Sequence, residues 1–164
     1  MSKKTTRIRL ACFDGEYEFQ IGLAGCIAIE EKAGVGIGAI YGQVLRGRFL
    51  TDQGAGFGVP AEGAFSAPVL FEIVRQGLIG GGKGLTDGRE VKVGALKANV
   101  LIETYLSPDR GGGLMDAWNI AAAVMHALVE GVDVKEEPAP SKPVDGADEV
   151  APAAEGSASG AVEA

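Results

Sequence analysis

The stretch Phe71–Asp87, FEIVRQGLIGGGKGLTD, decides how this chain is read. An apolar segment at helical spacing runs into three consecutive glycines and restarts behind Thr86-Asp87. Gly77, Gly82 and Lys83 come close to a phosphate-binding loop. In such a loop glycine N–H groups cradle phosphate, a lysine neutralises charge and a following Ser or Thr holds magnesium. Gly84 stands where that hydroxyl belongs. The loop should also follow a buried strand, whereas Leu70, Val74 and Leu78 recur every four residues, a helical period. The same glycines make a good helix end, because glycine supplies the left-handed conformation that terminates a helix. Asp87 and Glu90 then have capping-box spacing. A further helix is therefore expected over Arg89–Tyr105, with Val93, Leu96, Val100 and Leu101 on one face.

Upstream, Arg7–Phe13 alternates, Asp14-Gly15 is a strong hairpin signal, and Tyr17, Phe19 and Ile21 alternate with polar residues. This reads as a two-stranded hairpin with one wet face. An isolated hairpin is marginal, so it must pack on helices. One helix is expected over Leu23–Ala33, ending at Gly34, and another over Gly36–Leu45. Gly34-Val35-Gly36-Ile37-Gly38-Ala39 matches a dinucleotide-binding fingerprint, but it follows a helix rather than a strand. Leu50–Ala67 is glycine-rich and without period, and long loops of this kind are often functional. Phe57 and Phe65 within it are candidate docking residues. Ser66 and Pro68 open the next helix. The last helix carries Leu114, Trp118, Ala121, Ala122, Met125, Leu128 and Val129 on one stripe and stops at Gly131.

The chain has 164 residues and a net charge of −7. From Val132 onward it holds eight acidic and two basic residues and five valines, with no larger apolar side chain. Such a segment cannot offset its ordering entropy. The expected organisation is a folded domain over residues 1–131 and a disordered, acidic Ala/Pro/Glu-rich tail over 132–164. The first 131 residues carry a net charge of −1. A near-neutral body gives no electrostatic footprint for nucleic acid. No apolar run approaches a membrane span and no apolar signal core opens the chain. Cys12 and Cys26 lack metal-ligand spacing and read as reduced core residues. With one histidine, His126, and no serine in a nucleophile context, no catalytic constellation emerges. The expectation is therefore no catalytic, cofactor-binding or metal-binding residues and no enzyme activity.

The order of elements resembles a known family. The residues that carry the likeness are the Asp-Gly hairpin, Ile21–Gly34 (IGLAGCIAIEEKAG), Gly77–Gly82 (GLIGGG), Leu85-Thr86-Asp87, and the final ALVEG at 127–131. Together they resemble the small tail proteins of gene transfer agents and long-tailed phages, labelled tail assembly chaperones or tail tube proteins. The likeness covers Arg7 to Gly131, with Leu50–Ala67 as an apparent insertion. It implies a non-enzymatic chaperone, working in the host bacterial cytoplasm, that binds the helical tape-measure protein and keeps it soluble until tube subunits replace it. The implied partners are the tape-measure protein and, in second place, the tail tube protein, with a homo-oligomer as a further option. The alternative within the same resemblance is a structural tail tube subunit. The expected fold class is α+β, an N-terminal β-hairpin packed on about five helices. Partner-binding candidates are Phe57, Phe65, Leu114, Met115 and Trp118, chosen as apolar side chains with a route to the surface.

Overall fold

A computed structural model describes residues 3–46 and 66–134, so Phe57, Phe65 and residues 135–164 lie outside the described residues. The fold is α+β. A four-stranded antiparallel meander is built from β2 (Ile8–Cys12), β3 (Gly15–Phe19), β4 (Lys83–Thr86) and β5 (Arg89–Lys92), in that order. Among the described residues five α-helices accompany it: α1 (Leu23–Ala33), α2 (Ile37–Arg46), α3 (Ala67–Gly81), α4 (Ala95–Tyr105) and α5 (Leu114–Glu130). A short ribbon pairs β1 (Lys4–Thr5) with β6 (Val132–Asp133), so ordered pairing continues past Gly131.

The expected helix over Arg89–Tyr105 is corrected at its start. Residues 83–92 form a second hairpin, and the helix begins at Ala95. Asp87 and Gly88 take φ of 49° and 73°, the pair of positive values that a two-residue hairpin turn requires. Glu90 thus lies in a strand opposite Leu85 instead of closing a capping box. In the first hairpin the two turn residues are Phe13 and Asp14, and Gly15 opens β3. The hairpin expected from the sequence is half of the sheet.

Helix α3 is the hub, packing on β3, α1, α4 and α5. Its buried stripe of Leu70, Ile73, Val74 and Leu78 faces a core that includes Tyr17, Phe19, Ile29, Leu101 and Met125. The glycines at its end serve a close approach as well as a cap. Gly82 takes φ of 76° and its N–H donates to the Leu78 carbonyl at 2.9 Å, which is a left-handed helix cap. A Cβ on Gly80 or Gly81 would overlap the carbonyl oxygens of Gln20 and Glu18 respectively. Helix and strand therefore meet backbone to backbone, and Gln20 N–H donates to the Gly77 carbonyl at 3.0 Å.

On the outer face of the sheet Glu18 is buried among cations. It accepts hydrogen bonds from Arg7 and Arg9, and Lys83 Nζ stands 3.6 Å from it. Burial pushes its carboxyl up, but the bonds from Arg7 and Arg9 and the charge of Lys83 outweigh that and hold it below the usual value. The depressed folded value makes Glu18 stabilising above the unfolded carboxylate pKa of about 4.3, and that contribution is lost as pH falls through the folded value. Thermal melts between pH 7 and pH 3 (roughly the carboxylate range) are expected to show it. Glu18→Gln should lower the melting temperature at neutral pH and flatten its fall in acid. Parallel curves for the two proteins would show that Glu18 carries no such linkage.

Candidate functional site

Where the sequence comes nearest to nucleotide-binding motifs, the local geometry uses the same groups internally. Gly80-Gly81-Gly82-Lys83 closes a helix, so an anion there would face the carbonyl end of the dipole. Lys83 Nζ lies between Glu18 at 3.6 Å and Glu90 at 3.9 Å. At the second motif Gly34 is the left-handed cap of α1, and the Glu30 carboxylate accepts the Ile37 N–H at 2.7 Å. The N-terminus of α2 is thus filled by a carboxylate of this chain.

A cleft of about 420 Å³ lies between α3 and α4, with Lys32 of α1 in its lining. Pro68, Phe71 and Ile102 line its apolar part, and Ser107 ends it. Its polar floor is internally bonded. Arg75 Nε donates to Asn99 Oδ1 at 2.8 Å, while Arg75 Nη1 and Gln76 Nε2 donate to Glu72 Oε1 at 3.3 and 2.7 Å. Lys32 and Glu103 are also in the lining, and Glu103 reaches Arg110 only at 3.7 Å in solvent. Such an exposed pair contributes little. On α4 beside Glu103, Leu96 is 80% exposed and Val100 47%. The apolar face expected over Arg89–Tyr105 is therefore split: Val93 and Leu101 are core, whereas Leu96 and Val100 are exposed.

A second opening, of about 360 Å³, lies between the first hairpin's tip, the end of α4 and the start of α5. Phe13, Tyr105, Asp116, Asn119 and Ile120 are among its lining residues. Burial, aided by the Asp14 charge, pushes the Cys12 thiol in its wall up to about 12, so it stays protonated. Tyr17 beneath donates its hydroxyl to Asp14 and is likewise raised to about 12, first by burial and then by that bond.

The sequence candidates fall into three groups. Phe57 and Phe65 lie outside the described residues. Leu114 and Met115 are half-buried at the start of α5, near the second cleft. Trp118 is 2% exposed, and its indole N–H donates to the Val44 carbonyl at 2.7 Å. It is a core residue that fastens α2 to α5. Phe71 and Ile102 were not singled out by the sequence. The available signal was that Phe71 is apolar yet sits one residue off the Leu70–Val74–Leu78 stripe, on a second face of α3.

Among the described residues no group of three or more His, Cys, Asp or Glu is placed to hold a metal ion. No described helix is long and apolar enough to cross a membrane. Compared with known families, curated proteins and solved structures, the chain matches none.

Proposed function

We propose that this protein is a non-enzymatic tail assembly chaperone of a phage or gene transfer agent, holding the tape-measure protein soluble in the host cytoplasm during assembly. The observation that carries the reading is the cleft between α3 and α4. Pro68, Phe71 and Ile102 give it apolar lining, and Lys32, Glu72, Arg75 and Glu103 give it charge. An amphipathic helix needs such a groove, with apolar anchors at i, i+3, i+4 and i+7 and polar neighbours at the rim. Repeated binding along a long helical partner would be strengthened by effective concentration.

The sheet supports this reading over a tube subunit. Tube rings join sheets between subunits through long free edges, whereas both edge strands here are short: β5 spans four residues, three of them charged, and β2 spans five, with Arg9 its one charge. Charged, short edges resist strand addition.

Co-expression with the encoded tape-measure protein and purification of the complex test the proposal. The expected result is a soluble complex, with this protein absent from mature particles. Phe71→Ala should weaken capture by roughly tenfold or more, as loss of an apolar anchor in the groove does. Leu85→Glu, on the opposite side at the sheet, should not. Rings or tubes of this protein alone, without capture, would instead identify a structural subunit.

A further inference from the structure

We propose that the second cleft binds a guanidinium group, the side chain of an arginine presented by a partner protein. Two aromatic rings and a carboxylate are among the cleft's lining groups. The Phe13 and Tyr105 ring centroids are 5.6 Å apart with planes inclined at 40°, so the rings adjoin without covering each other face to face. Asp116, Asn119 and Ile120 of α5 share the lining with them. A guanidinium stacks on aromatic faces, is weakly hydrated, and pairs with a carboxylate through two parallel N–H bonds. Lysine matches this set less well, being a compact and strongly hydrated point charge.

Charge points the same way. Among the described residues the lining holds one carboxylate and no basic residue. Asp116 makes no ion pair among the described residues. An acidic residue in the first turn of a helix has an ordinary role, complementing the positive end of the dipole. That role accounts for Asp116 but not for Phe13. Phe13 holds φ of 57° in a two-residue turn, where glycine or asparagine would sit with less strain. The strained position places an aromatic ring in the cleft wall, and Tyr17 holds that ring edge-on at 5.6 Å and 69°. The neutral Cys12 thiol leaves Asp116 as the charged group of the cleft.

The test needs only the full chain and a small probe, so it is independent of the tail-assembly reading. N-acetyl-arginine methylamide is titrated into the ¹⁵N-labelled protein and followed by NMR. Saturable shifts are expected at Phe13, Tyr105, Asp116 and the Asn119 side-chain amide, with none from N-acetyl-norleucine methylamide. Asp116→Asn should weaken binding by roughly tenfold, the effect of losing one charge-assisted pair. Tyr105→Leu, which keeps apolar volume, should weaken it independently should Asp116→Asn fray α5. Absence of saturable shifts, or shifts spread equally over exposed acids such as Asp109 and Glu31, would overturn the proposal. So would unchanged affinity in both variants.

Discussion

Gly81→Ala is expected to destabilise the protein by about 3 kcal/mol or more, although alanine is the better helix former by about 1 kcal/mol. The new Cβ would overlap the Glu18 carbonyl and lie 2.8 Å from Phe19 N. Both neighbours are backbone of a central strand, paired on one side with β2 and on the other with β4, so neither can swing aside. Relief would require α3 to lift off β3. That would stretch the Gln20-to-Gly77 hydrogen bond and open the contact of Gly77 with Phe19 and Val124. Gly38→Ala supplies the contrast. Gly38 lies inside α2, and a Cβ added there would meet nothing within 4 Å, so the substitution should stabilise by about 0.5–1 kcal/mol. Urea melts of the two variants read both signs. A neutral Gly81→Ala would mean that the helix and strand do not approach as closely as described.

The same glycines explain how much was legible beforehand. Their punctuation, with the apolar stripe before it, places the end of α3 correctly, because a helix stop is a local property. Their second use, as contact points for β3, needs a partner far away along the chain and leaves no local trace. Helices α1, α2, α3 and α5 were legible within about two residues, and the first hairpin likewise. The second hairpin was not, although Asp87-Gly88 carries the same dipeptide signal as Asp14-Gly15. Its strands are four residues each and mostly charged or polar, and Gly84 gives β4 no apolar alternation. What replaces that alternation is long-range: Tyr17 of β3 packs against the bare Gly84 backbone. Asp87 with Glu90 also imitates a helix start, and a capping box is local where sheet pairing is not. The candidate clefts were less legible still. Each joins residues from three elements, so neither exists until the fold is assembled.

Helix α3 thus has two unlike faces with different demands. One is stripped to glycine where it meets the strand, and the other keeps Phe71, Arg75 and Glu72 facing the cleft. The polar floor is satisfied within itself by Asn99 and Gln76. A partner helix would therefore gain apolar contact there without having to replace lost hydrogen bonds. The charges on the walls would then set its direction more than its affinity.

Trp118→Ala is expected to cost about 3–5 kcal/mol, the range for emptying a buried aromatic site. The site has little room to collapse, because Trp118 lies on the most apolar helix between α2 and α3 contacts. Beyond the lost packing, the Val44 carbonyl loses its donor. Val44 is in the last turn of α2, where helix carbonyls have no partner in the helix itself, so the indole N–H acts as a long-range cap. Trp118→Phe separates the two contributions. It keeps much of the ring volume and removes the bond, at a cost of about 1–3 kcal/mol for a buried carbonyl left unpaired. Melts of both variants, alongside co-purification with the proposed partner, the tape-measure protein, distinguish packing from contact. Trp118→Phe should fold and capture the partner with unchanged affinity, because Trp118 lies inside the body. A folded Trp118→Phe that no longer captures would instead mean that α5 opens on binding and presents this side chain directly.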